Sequence, residues 1–249
     1  MAELLAEPKA SVTTETVLGG FDIQAGYERH VIVHGVSIEV QRREIVCIIG
    51  PNGSGKSTLL KALYGFLRPI AGRVMLLGED VTSRTPQDRL AMGAAYVPQG
   101  RSVFPQMTVL ENLELGAYLQ PRRAAEAIER VFSIFPRLAE RRRQQAGTMS
   151  GGEQRMLEIG RALMLDPQML FLDEPSAGLS PAFARTAFET VQRLNEDHHL
   201  TVLMIEQNAR EGLQLADRGY VLENGKLRFC DTGQRLLGNA AVRRLYLGG

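Results

Sequence analysis

The sequence has no tryptophan, only two cysteines, and an aromatic share of 6%. Cys47 and Cys230 give no disulfide framework, so a small secreted scaffold held by cross-links is excluded, and the usage suits a reducing cytoplasm. A surplus of charge of one sign is missing as well. Lys and Arg number 29 against 28 Asp and Glu, a net +1, and nothing global argues for a nucleic-acid partner. No run approaches the ~18 apolar residues of a membrane span. Met1 to Val17 lacks the charged start and apolar core of a signal peptide. Internal repeats and low-complexity tracts are absent. The expectation is a soluble, intracellular protein that serves a membrane, if at all, through a partner.

What is present is a chain of 249 residues with 44% hydrophobic content, enough for one large domain or two small ones sharing a core. Residues 1–16, small and polar with no period, read as a flexible leader before a single domain over 17–249. That domain is organised around Gly50-Pro51-Asn52-Gly53-Ser54-Gly55-Lys56-Ser57-Thr58. The stretch fits G-x-x-x-x-G-K-[ST], a loop that wraps its backbone around the phosphates of a nucleotide. Gly50, Gly53 and Gly55 let the main chain turn tightly and bring N–H groups close to an anion. Lys56 supplies a compact charge for the β- and γ-phosphates, and the Ser57 hydroxyl can hold Mg²⁺. An apolar, β-branched run, Glu44 to Ile49, precedes the loop. Leu59, Leu60, Leu63, Phe66 and Leu67 follow it at helical spacing, in a helix expected to end near Pro69. Strand, loop and helix thus occur in the order that puts phosphate at the helix's positive end.

Two alternating runs precede this unit. Phe21, Ile23, Ala25 and Tyr27 share one face, and Val36, Ile38 and Val40 another, as in half-buried antiparallel strands. Arg73 to Leu77 reads as a further short strand. Residues 101–167 change to helix and charge: Thr108-x-x-Glu111 is a capping box, Ala124 to Phe135 is amphipathic, and Arg141-Arg142-Arg143 reads as a solvated helix face. Then the strand–helix rhythm returns, with a hairpin turning at Asn224-Gly225 in type I′ geometry and a helical tail to Gly249.

Where the buried runs stop carries the functional reading. Ile45–Ile49 ends in the phosphate loop, Ala94–Val97 at Gln99, Met169–Leu172 at Asp173-Glu174, and Thr201–Ile205 at Glu206-Gln207. In an open parallel α/β sheet, ligands bind outside the carboxyl ends of the strands. If these four strands lie side by side, their polar ends converge on one nucleotide. Asp173 is then placed to hold Mg²⁺, Glu174 to accept a proton from an attacking water, and Gln99 to reach both metal and water.

Met149-Ser150-Gly151-Gly152-Glu153-Gln154 resembles the signature of ATP-binding-cassette (ABC) ATPases, usually Leu-Ser-Gly-Gly-Gln. Ser150-x-x-Glu153 caps a helix whose apolar positions include Met156, Leu157, Ile159 and Leu163, and its start forms a second anion site. The resemblance runs from about Val17 to Gly249. It implies a P-loop α/β core with a mixed, mostly parallel sheet and an antiparallel β subdomain over 17–100 and 168–249. A helical signature subdomain covers 101–167. It further implies that Ser150, Gly151, Gly152 and Glu153 meet ATP held by a second cassette, that Tyr27 stacks on adenine, and that Gln207 stands at the family's switch histidine. Glutamine can donate a hydrogen bond to the γ-phosphate there but carries no proton charge. Ser180 likewise stands where the family usually places Asp.

Phe135-Pro136-Arg137-Leu138, the stretch Leu215 to Gly225 and the ending Tyr246-Leu247-Gly248-Gly249 are similar to the second, smaller ATPase subunit of bacterial branched-chain amino acid importers. That similarity implies ATP and Mg²⁺ as cofactors and a second cassette as partner, in a heterodimer or, in isolation, a homodimer. It implies two permeases, a periplasmic binding protein acting indirectly, and residence at the cytoplasmic face of the inner membrane. The alternatives are the same motor for urea or short amides, and a soluble cassette scaffold in cofactor assembly.

Overall fold

The computed structural model describes residues 16–28 and 30–246. Thr16–Tyr27 (β1) and His30–Gln41 (β2) form a long hairpin and lead into Ile45–Ile49 (β3) and helix Lys56–Tyr64 (α1). Ala71–Leu76 (β4), Glu79–Asp80 (β5), helix Pro86–Ala91 (α2) and Ala94–Val97 (β6) follow. A helical stretch carries Val109–Gly116 (α3), Ala124–Ile134 (α4), Pro136–Glu140 (α5) and Gly151–Leu163 (α6). Strand and helix then alternate through Met169–Asp173 (β7), Pro181–Glu196 (α7), Thr201–Ile205 (β8) and Ala209–Leu215 (α8). Arg218–Glu223 (β9), Lys226–Thr232 (β10), Gly233–Gly238 (α9) and Ala240–Tyr246 (α10) close the chain.

The continuous apolar runs are explained by burial on both faces of one sheet. Its order is β10-β9-β3-β8-β7-β6, parallel throughout except for β10 at the edge. Ile45, Cys47 and Ile49 of β3, with Leu170, Leu172, Val202 and Met204, point into a core shared with α6, α7 and α8. The alternate residues, Val46, Ile48, Phe171, Leu203 and Ile205, pack on Leu59, Leu60 and Leu63 of α1 and on the inner face of the hairpin. That hairpin belongs to a second, antiparallel sheet of order β2-β1-β4-β5. The phosphate loop and α1 are thereby held between two sheets.

Local chemistry sets several boundaries differently from the sequence reading. Helix α1 stops at Tyr64, because Gly65 takes a left-handed backbone (φ 93°) and donates to the Lys61 carbonyl. Phe66 leaves the expected apolar face and is 55% exposed, its ring tilted against Tyr64 and edge-on to Tyr96. Arg141–Arg143 form a turn, not a helix face, and Arg141 pairs with Glu153 at 3.0 Å. The tail is two short helices, broken where the Asn239 side chain accepts the N–H groups of Ala241 and Val242. Of the expected leader, Thr16 already belongs to β1; residues 1–15 and the final 247–249 lie outside the described residues. Both expected capping boxes form, and Thr85 with Asp88 makes a third.

Candidate functional site

The loop after β3 is shaped by close contacts. A Cβ at Gly50 would lie 2.1 Å from the Leu222 carbonyl oxygen, so only glycine lets the loop start against β9. At its other end the Ser54 carbonyl accepts the Gly225 N–H at 2.9 Å, from the β9–β10 turn. Pro51, Asn52 and Gly53 are exposed, whereas Ser54, Gly55, Lys56 and Thr58 are buried and Ser57 half-buried. Lys56 folds back across the loop, its Nζ donating to the carbonyls of Gly50 at 2.8 Å and Pro51 at 3.1 Å. The Ser54 hydroxyl is buried with no partner.

Strands β8, β7 and β6 follow β3 in that spatial order, so their carboxyl ends share one rim with the loop. At the end of β7, Asp173 Oδ2 accepts the Tyr96 hydroxyl at 2.8 Å, while Oδ1 is buried without a partner. Glu174 follows in left-handed backbone (φ 48°). Its Oε2 accepts the Gln99 amide at 2.6 Å. Burial pushes the Glu174 carboxyl above its usual range; the charge of Lys56 opposes this and that of Asp173 adds to it. Burial lowers Lys56, and the charges of Glu174, Asp173 and Glu206 are among those pulling it back up. The loop lysine and three carboxylates from two other strands therefore share one field. Among the described residues no three His, Cys, Asp or Glu cluster as a ready-made metal cage.

The remaining expected site residues, Tyr27, Gln207 and Ser150–Glu153, take no part in these contacts. Tyr27 ends β1 and is 45% exposed. Gln207 is exposed, and its N–H donates to the Glu206 carboxylate. Ser150 and Glu153 satisfy each other in the capping box that opens α6, and Gly152 packs against the Phe183 ring. No hydrogen bond among the described residues joins Ser150–Glu153 to the phosphate loop.

The ABC transporter family model matches residues 33–177. The chain belongs to this family. Among relatives of the cassette is the high-affinity branched-chain amino acid transport ATP-binding protein of Pseudomonas aeruginosa, 46% identical over 90% of this chain and 96% of that one. A probable branched-chain amino acid transport ATP-binding protein of Archaeoglobus fulgidus is 38% identical over 91% and 96%. The lipopolysaccharide export ATP-binding protein of Acidithiobacillus ferridurans is 35% identical over 89% and 92%. Among solved structures, an ATP-binding cassette of an ABC transporter in its ADP conformation superposes with a TM-score of 0.83. It is 32% identical, over 94% of this chain and 99% of that one. The cassette is thus an ABC ATPase with the mixed-sheet fold expected. Among the described residues no helix is long and apolar enough to cross a membrane.

The cassette also holds residues that the sequence reading passed over. Glu206 is 1% exposed and binds Ser176 through both its N–H, at 3.0 Å, and its hydroxyl, at 2.8 Å. It ties the end of β8 to the loop after Glu174. The sequence marked Glu206-Gln207 as a polar strand end but assigned a role only to Gln207. Tyr96, on an otherwise apolar strand, orients Asp173 through its hydroxyl, a contact that spacing along the chain gives no means of finding.

Proposed function

We propose that this cassette binds ATP at Gly50–Thr58 and hydrolyses it with Glu174 as general base, powering uptake of branched-chain or other neutral amino acids. The observation that supports the chemistry is the common rim, where Lys56 lies in the field of Glu174 and Asp173 while Gln99 holds Glu174 Oε2. The attacking water gives its proton to the Glu174 carboxylate as its oxygen bonds the γ-phosphorus. The bond to the bridging oxygen then breaks and ADP leaves. Backbone N–H groups of the loop and Lys56 bind the phosphates. Ser57, Gln99 and Asp173 would hold Mg²⁺, a fit supported by the unpartnered, buried Asp173 Oδ1. Such an ion, when bound, neutralises charge on the phosphates. Tyr27 would stack on adenine, and Gln207 would donate to the γ-phosphate.

Ser150, Gly151, Gly152 and Glu153 would meet the nucleotide of a second cassette, in a heterodimer in the transporter. In this reading residues 101–167 act as a helical subdomain against a core of 17–100 and 168–249. The docking surface for two permeases would be the groove of about 470 Å³ lined by Tyr64, Tyr96, Phe104, Leu115 and Tyr118. Phe104 is 49% exposed there. The complex would sit at the cytoplasmic face of the inner membrane, fed indirectly by a periplasmic binding protein. Import of branched-chain amino acids is favoured because relatives with that role are 46% and 38% identical, against 35% for the export relative. Glu174→Gln should keep ATP binding and lower turnover by about 2–4 decades, as loss of a general base does. Unchanged turnover in a single-turnover assay would remove Glu174 from the role.

A further inference from the structure

Helix α6 carries a row of charged side chains that the roles above leave unused. Arg155, Glu158 and Arg161 recur every third residue and so share one face of the helix. Arg155 and Glu158 are each 4% exposed and pair at 2.9 Å. A buried pair of this kind contributes little net stability, because desolvating two charges offsets their attraction. Its other contacts are more specific. Arg155 Nη1 donates to the Pro98 carbonyl at 3.1 Å, and Nη2 to the Glu174 carbonyl at 3.4 Å. Glu158 accepts the Ser102 N–H. Arg161 donates to the Ser102 hydroxyl at 3.0 Å and lies 5.4 Å from the centre of the Phe104 ring.

One helix face therefore holds the segment from Pro98 to Phe104, and the same guanidinium reaches the main chain of Glu174. Pro98 directly precedes Gln99, whose amide grips Glu174 Oε2. Arg155 thus anchors both partners of that hydrogen bond, each through a carbonyl at or next to it. We propose that Arg155, held in place by Glu158, is a positioning residue for ATP hydrolysis. It fixes Gln99 against Glu174 and ties the pair to the helix that Ser150 opens. A shift of α6 when a second cassette's nucleotide docks at Ser150 then moves the hydrolytic pair directly. The inference rests on Glu174 as base. The planar fork of arginine is essential, since it presents two nitrogens to two carbonyls at once.

The test uses the full-length chain. In R155M/E158L two apolar side chains of similar volume replace the ion pair, an exchange often near neutral at buried sites, here set against the lost hydrogen bonds at Pro98, Ser102 and Glu174. Unfolding should stay cooperative and affinity for a fluorescent ATP analogue should hold, while kcat falls about 10–100-fold, the scale of a misplaced reacting group. R155K keeps the pairing with Glu158 but not the two-carbonyl fork, so it should show the same loss in kcat at unchanged KM. Wild-type kcat in R155K, or in the folded double variant, overturns the positioning role. Glu174→Gln is measured alongside. If it turns over normally, the base assignment and this inference both fall. If it is inactive while the Arg155 variants are not, the positioning role alone falls.

Discussion

At the scale of single residues, Glu174 combines three features that ordinary surface carboxylates lack. It is 8% exposed, it sits in left-handed backbone that costs a non-glycine residue about 1–3 kcal/mol, and it accepts one amide from Gln99. Burial raises its pKa, and a base must be ionised to act, so turnover should fall as pH drops through a value above the ordinary glutamate range. Gln99 stabilises the charged form by donating to it. Gln99→Leu should therefore move the acid limb of kcat/KM to higher pH than in the wild type. Profiles that coincide would argue against Gln99 as the group that tunes Glu174.

How far single residues were legible follows from the same chemistry. Gly50 to Thr58 could be read directly, because phosphate binding demands those residue types at that spacing. Arg155, Glu158 and Glu206 could not, since a buried charge and a solvated one look alike in sequence. Only the fold shows that Arg155 and Glu158 are buried alongside the apolar positions of α6, while Arg161 is half-buried.

Among elements, the β9–β10 hairpin does more than close the sheet. Asn224 and Gly225 both have positive φ (48° and 72°), as the Asn-Gly pair led one to expect. Gly225 also donates to Ser54 of the phosphate loop and accepts from His34 of β2. A Cβ there would lie 1.8 Å from the Ile32 carbonyl oxygen. Gly225→Ala should destabilise the fold by at least about 2 kcal/mol in urea unfolding, from strain at positive φ plus the clash. It should also weaken ATP binding, because the loop loses its support at Ser54. A variant with an unchanged midpoint would show that the turn can relax freely. The apolar strands β3, β7 and β8 were readable almost end to end, with Asp173 left outside the expected run of β7, since burial on both faces leaves few polar positions to confuse the pattern. The end of α1 was missed for the opposite reason. Phe66 and Leu67 keep helical spacing past Gly65, and the glycine's left-handed cap overrides them.

For the whole molecule, the proposed importer role predicts company. Full-length protein extracted from membranes should bring down two multi-span proteins and a second cassette, and recovery only in soluble complexes would contradict it. In cells lacking the native gene, the chain should restore labelled leucine uptake, and Lys56→Ala should abolish it. Uptake of urea instead, with leucine untouched, would redirect the motor to the other solute class. The polar ends of four strands were legible one by one. Their order in space was not, because β8 enters between β3 and β7 from far along the chain.

The same insertion has a bearing on how the molecule comes into being. Strand β3 is flanked by β8 and β9, both from far downstream in the chain. The motif that grips phosphate is therefore synthesised well before the two strands that flank it in the sheet. Until then β3 has the hairpin and α1 beside it but no partner in its own sheet. Nucleotide binding can thus draw on the full sheet only once β8 and β9 have been made.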